Sequence, residues 1–416
     1  MTPGSRSKLL DFFTSWRMLV VLLLGFSSGL PLALTATTLQ AWMKSENADL
    51  AVIGLFSLVA LPYGLKVLWA PAMDRFVPPF LGRRRGWMLL SQIALVVTVA
   101  AMAFSNPVTS PVVTAALAFL TAFFSASQDI VVDAYRTDLA ENEEIGPAAA
   151  LYITGYRFGM LTSGAVALIL SDHLSWRVVY LLMAAAMLIG IIATLFAPEP
   201  VVAAKPPRTI TEAVVLPFAE YFRRQGALEM LGFIVLYKLD VVIAMAMTTP
   251  FLLDLGFTKT DIGAVTKGFG LVATIIGTLA GGALMVKLGL KRSLWTFGLS
   301  QGISGLSFML LAHVGHDYPT MVAAITIESF CSGMGTAAFT AFLMSICDKR
   351  FTATQYALLT SVMGLSRVIG SAPTGYLAKA LGWEQYFLLS VLAMIPGLVL
   401  LTRYSKWRLA PSVQEH

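Results

Sequence analysis

Nine ionisable side chains stand inside long apolar stretches of the chain: the cations Lys66, Arg157, Lys238, Lys267 and Arg367, and the acids Asp129, Asp133, Asp240 and Glu328. A charge at the centre of a bilayer costs at least about 2.5 to 3.5 kcal/mol on insertion scales, so such a set calls for a polar cavity or for mutual pairing. At 1.5 Å per helical residue, Lys238, Glu328 and Arg367 fall about 15 to 20 Å into their stretches, near the midplane. Asp129 and Asp133 share one helical face at i, i+4 beside Gln128, nearer one end, where they suit an inner gate or a proton relay. Carboxylates so placed can take up and release a proton as their surroundings change. The cations can receive anionic groups, arginine through two parallel hydrogen bonds. Tyr63, Trp69, Tyr156 and Tyr237 lie close in sequence to these charges and offer rings for sugars, with core packing equally open. Plainer roles stay open too: Asp133 paired with Arg136 near a helix end, Lys66 at the interface, and Lys238 with Asp240 as a static ion pair.

The elements that position these residues follow from composition. Of 416 residues, 57% are hydrophobic and 12% charged, and the mean hydropathy is +0.76, outside the range of soluble domains. Apolar stretches fall at about 18–41, 50–73, 87–105, 111–135, 148–171, 176–197, 227–253, 260–286, 292–313, 318–346, 354–378 and 383–402, each near the roughly 20 residues that cross a membrane. The expected fold is an all-α membrane protein of twelve transmembrane helices in two six-helix bundles, residues 1–197 and 227–416, joined by a linker over 198–226 containing Lys205, Pro206, Pro207, Arg208, Arg223 and Arg224.

Most Lys and Arg outside the stretches belong to the N-terminus, the even-to-odd connections and the C-terminus, among them Arg6, Lys8 and Arg136. The opposite side has Lys44, Arg177, Lys259 and Lys379. That bias places both termini in the cytoplasm and accounts for a pI near 9.3 without a nucleic-acid partner. No small-residue cleavage site follows the first apolar run, which is read as a retained helix. Cys331 and Cys347 are too far apart along one helix to pair. No cofactor or metal is expected, since His313 and His316 lack a third ligand and His173 and His416 stand apart. An enzyme would need a nucleophile with its base, or a metal cluster, and neither is visible. Gly25 with Gly29 and Gly277 with Gly281 are spaced for close helix packing, while Pro31, Pro62, Pro71, Pro250, Pro373 and Pro396 mark kinks or hinges.

The halves repeat one pattern. Asp74, Arg75, Gly82, Arg83, Arg84 and Arg85 follow the second stretch, and Lys287, Gly289, Lys291 and Arg292 follow the eighth, where Val286 replaces the acid. Only the first copy can form a full charged latch, Asp74 with Arg75, Arg83 and Arg84. Arg157 leading to Trp176 is echoed by Arg367 leading to Trp383. Two six-helix repeats with a basic loop after each second helix resemble the major facilitator superfamily. More narrowly, the runs 25–42 (GFSSGLPLALTATTLQAW), 74–87 (DRFVPPFLGRRRGW), 125–133 (SASQDIVVD), 236–240 (LYKLD), 332–339 (SGMGTAAF) and 353–359 (ATQYALL) resemble the AmpG family of muropeptide permeases over nearly the whole chain.

The resemblance implies import of N-acetylglucosaminyl-1,6-anhydro-N-acetylmuramyl peptides from periplasm to cytoplasm across the bacterial inner membrane. It implies coupling to protons, as a step in cell-wall recycling and β-lactamase induction. Some relatives have extra C-terminal helices, and the transport core is expected to be intact without them. With that resemblance, Lys66, Gln128, Tyr156, Arg157, Tyr237, Lys238, Lys267 and Arg367 are candidates for substrate contact. Asp129, Asp133, Asp240 and Glu328 are candidates for proton coupling, and Asp74, Arg75, Arg83 and Arg84 for gating. A lipid-embedded monomer is expected. A carrier of another bulky anion such as acetyl-coenzyme A is the alternative, because Ser127, Gln128 and Asp129 also resemble that transporter group.

Overall fold

The computed structural model describes residues 15–47, 52, 56–140, 144–200, 209–371 and 373–407. Arg6, Lys8, Lys205, Pro206, Pro207, Arg208 and His416 lie outside the described residues. In hydrocarbon every backbone polar group must be satisfied within the chain, which leaves the helix as the natural element for so apolar a sequence. Among the described residues, nine helical stretches are long and apolar enough to cross a membrane. We label them α1 (Trp16–Ser45), α3 (Gly82–Met102), α4 (Pro111–Leu139), α5 (Ile145–Ser171), α6 (Trp176–Phe196), α7 (Ala227–Asp254), α8 and α9 together (Asp261–Val314), α10 (Tyr318–Ser345) and α12 (Trp383–Lys406).

Asp261–Val314 is 54 residues long, about 80 Å of helix against a core of about 30 Å, so it counts as two spans. They part at Gly289, whose φ of 72° breaks the helical trace. Two further spans are interrupted. Residues 56–75 (α2) run as short pieces, Phe56–Ala60, Leu61–Leu65, Lys66–Leu68 and Ala70–Arg75, because Pro62 and Pro71 each open a new first turn. Residues 352–381 (α11) divide into Thr352–Ser371 and Thr374–Leu381, the second capped by Pro373. Within the linker, Ile210–Arg223 forms a separate helix.

Lipid tails give helices no hydrophobic reason to associate, so contact depends on small residues that let backbones approach. A Cβ on Gly25 would strike the Tyr152 carbonyl and one on Gly29 the Tyr156 carbonyl, which seats α1 on α5. Gly277 and Gly281 likewise meet Phe330 and Met334, seating α8 on α10. Both glycine pairs are therefore packing devices.

The contacts divide the chain into two compact units, one of residues 1–142, 151–218 and 347–361, the other of 143–150, 219–346 and 362–416. In the first, Leu30, Trp42, Leu95, Val99 and Tyr180 form one core cluster, and Leu24, Val131, Tyr135, Ala353 and Ala357 belong to another. The second unit is built on Phe251, Phe308, Tyr386 and Phe387. One turn in each of α5 and α8, Thr162–Val166 and Val265–Gly270, is π-helical, a local widening frequent at functional positions.

Candidate functional site

In the first unit, α4 and α2 bring Asp129, Asp133 and Lys66 together around a residue the sequence had assigned to a loop. Arg136 lies inside α4 and is 2% exposed. Its Nε and Nη2 donate to Asp133 Oδ1 at 3.1 and 2.8 Å, and Nη2 also donates to the Tyr356 hydroxyl. The guanidinium lies 4.3 Å from the Tyr152 ring centre and 4.9 Å from that of Tyr356, a placement that desolvated cations favour. Lys66 Nζ stands 3.9 Å from Asp133 Oδ2. Asp129 is buried, and its Oδ1 has no hydrogen-bond partner among the described residues. Gln128 Nε2 donates to Ser27 and Ser28, both at 3.2 Å, tying α4 to α1.

The basic loop forms a latch with more members than the sequence showed. Asp74 is fully buried and accepts from Arg83 Nη2 at 2.6 Å and Arg84 Nη1 at 3.1 Å. Its other oxygen accepts from the backbone N–H and hydroxyl of Thr354, both at 2.8 Å, at the first turn of α11. A carboxylate there also meets the positive end of the helix dipole. Arg84 Nε donates to Asp138 at 2.7 Å, and Asp138 accepts from the Thr352 hydroxyl at 2.6 Å. Burial works against the charge on Asp74, and Arg84, Arg83 and the two Thr354 hydrogen bonds compensate it. The Arg75 guanidinium lies 5.4 Å from the centre of the Phe76 ring. Lys287, Lys291 and Arg292 of the second copy are exposed.

A second polar cluster occupies the second unit. Lys238 Nζ donates to Gln301 Oε1 at 2.6 Å and to the Thr336 hydroxyl at 3.0 Å. Gln301 Nε2 donates to both oxygens of Asp240 at 3.0 Å. Lys238 and Asp240 are thus joined through an amide. Asp240, Gln301, Glu328 and Ser390 line one small cavity of about 10 Å³, room for about one water.

The Tyr156 ring centre lies 6.1 Å from that of Tyr152. Lys267, in the π-helical turn of α8, and Arg367 on α11 are exposed, and Arg157 and Tyr156 on α5 are half-buried. Tyr237 is packed: its hydroxyl donates to the Leu294 carbonyl at 2.9 Å and its ring stacks on Phe339. His313 pairs with Glu384 at 3.1 Å while His316 stacks on Phe257, so the two do not converge. The Asp133–Arg136 pairing left open by the sequence is present, while sequence reasoning missed Asp138, Thr352, Tyr356, Gln301 and Thr336. One signal was available for Gln301, since Leu-Ser-Gln recurs at 90–92 and 299–301, on the third helix of each half.

Twelve spans in two similar halves, with charges held inside each unit, define a membrane carrier. The sequence model of the Major Facilitator Superfamily matches residues 21–313 and 230–414, and the chain belongs to that superfamily, within it to the AmpG family. The "Anhydromuropeptide permease" of Escherichia coli (strain K12) is 50% identical over 397 residues, covering 95% of this chain and 81% of that one. "Putative transporter AmpG 4" of Rickettsia felis is 33% identical over 411 residues, covering 95% and 98%. Among solved structures, the proton:xylose symporter XylE bound to 6-bromo-6-deoxy-D-glucose aligns with TM-score 0.71 at 11% identity, over 97% and 96% of the two chains. A bacterial homologue of ferroportin aligns with TM-score 0.71 at 13% identity, over 94% and 98%. These two likenesses concern the fold alone. The chain is a multi-pass transporter of the bacterial inner membrane and not an enzyme.

Proposed function

We propose that the chain imports anhydromuropeptides, the GlcNAc-1,6-anhydroMurNAc disaccharide and its peptides, from periplasm to cytoplasm by alternating access, as a monomer in symport with protons. The observation that carries this reading is the 50% identity to the Escherichia coli permease over 95% of the chain. The relatives' names do not favour another bulky anion such as acetyl-coenzyme A. The chemistry agrees with a muropeptide, which presents several carboxylates and hydroxyls. Lys267 and Arg367, exposed within spans, are worth their insertion cost only where water or an anion meets them, and with half-buried Arg157 they are our candidates for the peptide carboxylates. Lys66, Gln128 and Lys238 are within reach of a substrate that displaces their present partners. Asp129, Asp133, Asp240 and Glu328 are the proton candidates. Asp74 with Arg83 and Arg84 holds the first turn of α11 in one state and releases it in the other.

Uptake of radiolabelled disaccharide anhydromuropeptide into proteoliposomes, with and without an inward proton gradient, tests the reading in wild type and Glu328→Gln. Gradient-driven accumulation in wild type, lost in Glu328→Gln, is expected. No uptake by wild type under any gradient would overturn it.

A further inference from the structure

The amide of Gln301 sits between opposite charges in the only orientation that satisfies both. Its oxygen accepts from Lys238 and its nitrogen donates to both carboxylate oxygens of Asp240, and a carboxamide cannot exchange those roles without losing every bond. The first half of the chain supplies an internal control. Gln92, the matching residue on α3, accepts from the Thr194 hydroxyl at 2.8 Å. It lies beside Gly190, which also adjoins Ser27. Its oxygen has a neutral partner there and its Nε2 none among the described residues, so a six-helix bundle does not need an ion pair at that position. Burying Asp240, with Lys238 half-buried beside it, costs energy that packing alone would not require. Space for the bridge is left by Gly335 on α10: a Cβ there would meet Gln301 Oε1, lie 3.1 Å from its Cδ and 3.4 Å from Lys238 Nζ.

Resting on the transport reading above, we infer that Gln301 is a positioning residue that links capture of a substrate carboxylate at Lys238 to uptake of a proton at Asp240. When a carboxylate draws the Lys238 ammonium away, Oε1 of Gln301 loses its donor and the amide loosens on Asp240. When Asp240 takes a proton from periplasmic water, one of the two acceptors of Nε2 is lost and the amide loosens on Lys238. Each event makes the other less costly, and by linkage the effect is reciprocal. The proton leaves again to cytoplasmic water when substrate departs and the bridge reforms. No other bond is made or broken.

The test compares two transport modes in proteoliposomes. Counterflow exchange of labelled disaccharide anhydromuropeptide needs no net proton movement, whereas accumulation under an inward proton gradient does. Gln301→Leu is expected to lose at least about 10-fold more of accumulation than of exchange, the factor that 1.4 kcal/mol of lost coupling represents. Gln301→Glu is expected to regain accumulation as the pH falls, because a protonated carboxyl again offers one donor and one acceptor. That acid rescue is a profile that mere structural damage does not produce, and it serves equally if Gln301→Leu fails to fold. Equal losses in both modes without acid rescue, or no loss in either, would overturn the inference while leaving the transport reading in place. Absence of exchange by the wild type would overturn both.

Discussion

Asp74→Asn keeps the shape of the side chain and cancels the charge that meets Arg83 at 2.6 Å and Arg84 at 3.1 Å in a fully buried setting. Removing one partner of a buried pair costs about 3 to 5 kcal/mol. Arg84 keeps Asp138, and an asparagine oxygen can still accept from Thr354, so the low end, about 3 kcal/mol, is the appropriate figure. If the latch forms in only one conformational state, the whole cost falls on that state, and the released population grows roughly 100-fold at about 1.4 kcal/mol per factor of ten. Cys347 reports the change, because it is buried where the stretch 347–361 joins the first unit. In a Cys331→Ser background, its labelling rate by a membrane-impermeant maleimide in inside-out vesicles is expected to rise by about that factor, with muropeptide binding retained. An unchanged rate in an intact variant, or loss of binding altogether, would refute the latch.

Gly25→Leu drives a side chain into the Tyr152 carbonyl on α5, an overpacking that costs about 1 to 3 kcal/mol. A lowered unfolding midpoint in detergent is expected, and an unaltered one would remove Gly25 from the helix interface.

Hydropathy and charge bias made the membrane class, the twelve spans and the doubled halves readable in the sequence, because lipid admits only self-satisfied apolar helices and each span must match a fixed thickness. The glycine pairs and the acidic latch residue were readable for the same reason, as residue types with one dominant use at that spacing. Interruptions were less so: α2 breaks at two prolines, although its hydropathy is continuous. Partners near in sequence were readable, as for Asp133 with Arg136 and Asp74 with Arg83 and Arg84, but distant ones were not. Nothing local told that Arg136 would turn inward between Tyr152 and Tyr356, residues 16 and 220 positions away, or that Gln301 would stand between Lys238 and Asp240 some sixty positions earlier. Neutral glutamines and tyrosines cost little wherever they fall, so only the packing of distant helices decides which of them meets a charge. That charges would have to be buried followed from residue order alone; which groups meet them followed from the fold, since a buried ion is stabilised only by the particular donors and acceptors brought within about 3 Å of it.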